Sequence, residues 1–204
     1  MKKLLILLFS FFLLGSPSVF ADNISDFSIE GISIGDSLLD YMTEEEILKE
    51  IELNKDHYYY LNEPNKYAEV YLFKDFPIYE AISVFIKNTS PNQYVTNKNE
   101  KYKILSIYGM MDYIENFDGC IVKRDEIAAV LSKTFPNAYK REKIFEHSVD
   151  PVSVDAVYFE FESGDKFEVT CDNFEETFRI KNNYTEGLNV AIKSKEITSW
   201  LRDY

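Results

Sequence analysis

The chain predicts an α+β fold: an antiparallel sheet of about six strands with helices packed on one face, tied by one disulfide. Three observations carry that expectation. Helical spacing of apolar residues gives way to two-residue alternation and back again, and the strands come in consecutive runs rather than alternating singly with helices. Aromatic residues make up 16% of the sequence, and they gather with β-branched residues in those runs, as pleated, half-buried surfaces favour. The two cysteines fall on the apolar side of a helix and the apolar side of a strand.

The elements follow in order. Residues 29–36 read as a short strand closed by a glycine turn, after which Asp36 or Ser37 can cap a turn of helix carrying Leu38, Leu39 and Tyr41. Thr43 and Glu46 have capping-box spacing, and Ile47, Leu48 and Ile51 recur at helical intervals, which predicts a helix over 44–53. Glu44 and Glu45 suit the positive end of its dipole. Residues 67–73, 81–86 and 103–110 then read as strands of a meander, with an exposed loop at 89–100. Asp118 can cap a helix over 119–135 whose inward face holds Cys120, Ile127, Leu131 and Thr134, and Pro136 ends it. Residues 157–161 and 167–171 alternate apolar with polar around Ser163-Gly164-Asp165. Pairing Glu162 with Lys166 sets Phe161 against Phe167, Phe159 against Val169 and Val157 against Cys171, so one face is wholly apolar. Residues 188–192 form a last strand, and Ser194 caps a terminal helix bearing Ile197, Trp200 and Leu201.

Residues 1–21 read as an export signal. Lys2 and Lys3 precede an apolar run too short to span a bilayer, a Gly-Ser-Pro break follows, and Val19-Phe20-Ala21 has cleavage-site character. Residues 22–204 are then a single α+β domain working in the periplasm, or secreted, with no membrane insertion after the leader is removed. An even cysteine count in that compartment favours a Cys120–Cys171 bridge pinning helix to sheet.

The net charge of −13 would repel nucleic acid and anionic headgroups and favour a cationic partner. No cofactor is expected. His57 and His147 lie in unrelated segments without zinc-ligand spacing, and no thiol- or serine-enzyme signature surrounds Cys120 or any serine. Asp112, Glu115 and Asp118 lack the ligand order of a calcium loop. Glu160, Glu162 and Glu168 on the hairpin's outer side read as a solvated strand face. Tyr67, Tyr71 and Phe73 share one side of a strand whose other side is also apolar. With Tyr58, Tyr59 and Tyr60 they form either a covered layer under the first helix or an aromatic ledge for a ligand or partner.

The segment 27–39, with Cys120 and Cys171, resembles small exported bacterial proteins with no assigned activity. The resemblance implies a compartment and a disulfide, and carries no catalytic residue. The function expected is a non-catalytic periplasmic binding or accessory protein, with a basic protein or a small polar ligand as its partner. The alternatives are an acidic protein that binds a basic partner or inhibits a basic secreted enzyme, and a carboxylate-based hydrolase acting on envelope material.

Overall fold

A computed structural model describes residues 24–56, 61, 66–88, 100–147, 151–182 and 184–202. Residues 1–23, the Tyr58–Tyr60 run, His57 and residues 89–99 lie outside the described residues.

A small hairpin of β1 (Ser28–Ile29) and β2 (Ile32–Ser33) opens the fold. A 3-10 turn at Leu38–Asp40 follows, its Leu39 amide donating to the Ser37 hydroxyl. α1 spans Glu44–Asn54 and begins with the expected capping box: Thr43 and Glu46 satisfy each other's backbone amides. The meander comprises β3 (Tyr67–Leu72), β4 (Ala81–Lys87) and β5 (Ile104–Asp112). α2 covers Phe117–Thr134. β6 (Tyr139–Glu146), β7 (Val152–Glu160) and β8 (Lys166–Phe174) form consecutive hairpins. α3 (Glu176–Asn182), β9 (Gly187–Lys193) and α4 (Lys195–Arg202) complete the chain.

All seven strands from β3 onward join one antiparallel sheet in the order β3-β4-β5-β9-β8-β7-β6. β9 is the seam, pairing with the meander through β5 and with the hairpin set through β8. One face of the sheet is apolar. Val70, Ile82, Val84, Ile107, Val169 and Phe159 are fully buried there beneath α1 and α2, each such side chain contributing roughly 1.5–3 kcal/mol of transfer free energy. Cys120, Arg124, Ala128 and Leu131 form the buried stripe of α2, at the three-to-four spacing of a helix face. Arg124 was not expected there. It is ion-paired to Asp155 on β7 and, at 2.7 Å, to Asp125.

Four differences from the sequence reading have physical causes. The sheet has seven strands rather than about six, because β6 is an edge strand exposed at all its residues but Phe145; its charges, which guard a free edge, conceal any alternation. The cap of α2 is Asn116, whose side chain accepts from the Gly119 amide, so the helix starts two residues early. The β7–β8 register is displaced by two residues: Phe159 faces Phe167, Val157 faces Val169 and Glu160 faces Lys166. Phe161 and Asp165 instead close the turn, with Gly164 at φ +90°, a conformation open to glycine without strain. A shift of two keeps every side chain on its predicted face, so the alternation could not detect it. Finally, α4 lies on the opposite face from α1 and α2, where Ile197 and Trp200 pack with Tyr67, Phe85 and Leu105.

Candidate functional site

The face opposite α1 and α2 is where chemistry collects. Residues alternate along each strand, so the positions between the core residues all point to this second face. Reading across the register gives one continuous row: Tyr71, Ser83, Tyr108, Ala191, Glu168, Tyr158, Arg141. The three tyrosines are half-buried. Between them lie Ser83, then Ala191 and Glu168; Ser83 and Ala191 are 3% and 2% exposed, closed over by larger neighbours, while Tyr108 packs with the cluster beneath α4 and Tyr158 with Val152, Val154 and Ala156. At the usual strand spacing, Tyr71 and Tyr108 stand about 10 Å apart, and Tyr108 and Tyr158 about 14 Å.

Charges on this face are held in place by neighbours. Lys193, next to Ala191's row on β9, is ion-paired with Glu168, and its ammonium lies 4.9 Å from the centre of the Tyr108 ring. Burial works to lower the Lys193 pKa, but Tyr108 and Glu168 together outweigh it, so the group is raised and stays cationic. Glu160 is held below the usual carboxylate range, first by the hydrogen bond from Lys166 at 3.1 Å and then by Arg141 at 3.2 Å. The Arg141 guanidinium also lies 4.8 Å from the centre of the Tyr158 ring. The hydroxyls of Tyr108 and Tyr158 are raised mainly by burial, so both remain protonated donors.

One row further along, Asn189 faces Thr170, and the Asn189 side-chain amide donates to Asp172 Oδ2 at 2.8 Å. Burial lifts the Asp172 carboxyl to about 6, opposed by hydrogen bonds from Asn189 and Thr170 and by the nearby His147. The result is a strip of rings, hydroxyls, an amide and a poised carboxyl. It can orient a polar molecule by hydrogen bonds while rings take its apolar faces.

The residues singled out from sequence distribute as follows. Cys120 and Cys171 are bonded, with Cα atoms 6.0 Å apart, which removes the thiol nucleophile from consideration in this form. Tyr67 is not part of any ledge, nor is it under the first helix. It is 1% exposed, lies beneath α4 with its ring 4.6 Å from that of Trp200, and donates its hydroxyl to Glu196 at 3.0 Å. Tyr71 does stand on the polar face, its ring 6.3 Å from Phe73, which is 78% exposed. Tyr58, Tyr59 and Tyr60 lie outside the described residues. Glu168 corrects the picture of a solvated strand face, since only 16% of its side chain is exposed. Glu162 is exposed in the turn, while Glu160 and Glu168 are engaged with different cations, so the three acids do not converge. Among the described residues, no group of three or more His, Cys, Asp or Glu side chains could hold a metal ion.

The sequence places Tyr108, Tyr158 and Asn189 in strands and singles out none of Tyr108, Tyr158, Asp172, Asn189 and Lys193 as a candidate site residue. The available signal was their alternation with core residues: a tyrosine on the polar side of two strands, and a lysine ending an apolar strand. No protein-family model, curated protein or solved structure matches this chain. Its site must be read from its own chemistry.

Proposed function

We propose that the protein is an exported, non-catalytic binding or accessory domain that takes a small polar ligand on the polar face of its sheet. The observation that carries this reading is the row of half-buried Tyr71, Tyr108 and Tyr158, with Ser83, Ala191 and Glu168 between them and hydrogen-bonding groups alongside. Aromatic rings with a few convergent polar groups are the usual make-up of small-ligand sites. Export places the work in the periplasm or outside the cell, and among the described residues no helix is long and apolar enough to cross a membrane.

The alternative of an acidic protein that binds a basic partner draws on the net charge of −13. Its most concentrated acidic run has local work to do: Glu44 binds Lys101 and the Tyr102 hydroxyl, and Glu46 completes the α1 cap. The hydrolase alternative calls for two carboxyls meeting across a cleft, and the hairpin acids are spread between separate ion pairs.

A thermal-shift screen of residues 22–204 against small polar compounds tests the proposal, run in parallel on Tyr158→Ala and with turnover assays on every hit. A compound that raises the melting temperature of the natural chain, fails to do so for Tyr158→Ala, and is recovered unchanged is the expected outcome. Turnover of a hit, or equal shifts in both proteins, contradicts it.

A further inference from the structure

Among the described residues, β6 is the edge strand whose outer side stands open along its length. We infer that it pairs antiparallel with β6 of a second copy of this chain, joining two seven-stranded sheets into one. The two edges of the sheet differ. On β3, Tyr67, Ala68, Glu69, Val70 and Leu72 are buried backbone and all, so that edge is already covered. On β6 every residue but Phe145 is exposed, with Tyr139 and Ile144 at 66% and 69%. The strand carries no proline or glycine, and its register with β7 runs without a shift from Tyr139 opposite Glu160 to Glu146 opposite Ser153. Neither a bulge nor a kink turns this edge away from a neighbour. α2 packs on β7, β8 and β9, and α1 on β3, so the helix layer is centred away from β6.

Backbone phase and charge together select the partner. The His147 amide donates to the Val152 carbonyl at 2.9 Å, which sets the phase of the β6–β7 ladder. Odd-numbered residues of β6 therefore bond inward to β7, while the amides and carbonyls of Lys140, Glu142, Ile144 and Glu146 point to the open side. A closed pair of copies requires a two-fold axis standing on the sheet. Such an axis keeps each side chain on its own face, and opposed residues share a face, so the central residue must face its own copy. Centred on Glu142, the pairing sets Glu142 on Glu142 and Arg141 on Lys143 of the second copy. Centred on Ile144, it sets Glu142 on Glu146 twice, and centred on Arg141 it matches Lys140 with Glu142 but unites only residues 139–143. Centred on Lys143, it runs from Lys140 to Glu146 and sets Lys140 on Glu146, Arg141 on Phe145 and Glu142 on Ile144, each twice by symmetry. Every outward residue then meets an outward residue, and opposite charges and a cation beside a ring favour the contact. Lys143 on itself is the one like pair, and each ammonium is drawn along its own strand to 4.7 Å from the centre of the Phe145 ring. The charges that guard this edge against other strands match the edge itself.

Sedimentation equilibrium of residues 22–204 over about 1–500 µM tests this by reading the dissociation constant of the pair. A reversible dimer is expected, with a constant of about 10–100 µM, as suits a small and polar interface. Lys140→Glu and Glu146→Lys should each weaken it about tenfold, because each sets like charges opposite one another at two places. An equimolar mixture of the two variants should dimerise as the natural chain does, since their altered charges attract across the joint. Lys143→Thr, which removes the like pair, should tighten the dimer. Amide exchange under dimer-forming conditions should slow at Glu142 and Ile144 and stay unchanged at Arg141 and Lys143, whose amides already bond to β7. Melting curves matched to the natural chain establish that each variant is folded. A chain that stays monomeric throughout the range overturns the proposal. So does a dimer that both single variants leave unchanged, which puts the contact elsewhere, or a loss in each variant that the mixture fails to restore, which rules out this register.

Discussion

Burial of Asp172 makes one side chain a measurable source of pH dependence. Its carboxyl titrates near 6 in the folded chain, against an ordinary value of 3.8. Above about pH 6 the folded protein therefore holds a charge it would more readily carry when unfolded. That penalty is fully present at pH 7 and is relieved as pH falls through 6 toward 4, because the native state then binds the extra proton. Asp172→Asn should stabilise the protein at pH 7.5 by up to about 3 kcal/mol, with the advantage gone by pH 4; denaturant melts across that range measure it. A variant less stable than the natural chain at pH 7.5 would show that the charged carboxyl is better accommodated than its burial implies. Gly109 is a second sensitive position. A Cβ there would stand 2.6 Å from the Tyr79 ring, so Gly109→Ala should destabilise by about 1–3 kcal/mol, seen as a lower denaturation midpoint with unchanged slope.

Individual elements divide sharply by how legible they were. Wherever a local interaction and a periodic pattern agreed, the sequence sufficed: the Thr43–Glu46 box marks the start of α1, and the two-residue alternation marks β3, β4 and β9. Thr43→Ala removes the acceptor for the Glu46 amide and should cost about 1 kcal/mol, read as a shift in thermal midpoint; no shift would mean that the box contributes little beyond helix packing. Where elements depend on neighbours rather than on their own pattern, the sequence was silent. β6 is a strand because β7 pairs with it, and α3 buries no residue at all. Half of the candidate site was hidden for a related reason. Tyr108 and Tyr158 look like ordinary strand residues until the register brings β5, β9, β8 and β7 side by side. Tyr71 could be found from its own strand, but whether its side of the sheet was covered depended on where α4 docked.

At the scale of the whole molecule, two constraints hold the α2 side to the β7–β8 hairpin. The Cys120–Cys171 bridge joins residues 51 apart in sequence, a loop whose closure entropy corresponds to on the order of 4 kcal/mol. Beside it, Asp155, the register partner of Cys171, receives the buried Arg124 from the same helix. Cys120→Ser should lower the melting temperature to about the value that reductant produces in the natural chain, and reductant should leave the variant unmoved. A natural protein indifferent to reductant would mean that the bridge does not form in solution. The same two constraints anchor the hairpin that carries Tyr158 and Glu168, so stability on one face of the sheet supports geometry on the other.

Hydrogen exchange of residues 22–204, with and without a saturating small polar compound from the thermal-shift screen, tests most directly whether the polar face is the working surface. Slowed exchange concentrated in β5, β9, β8 and β7, with α1 and α2 unchanged, is the predicted result. Protection confined to the helices or to the outer edge of β6, or none at saturation, would contradict it.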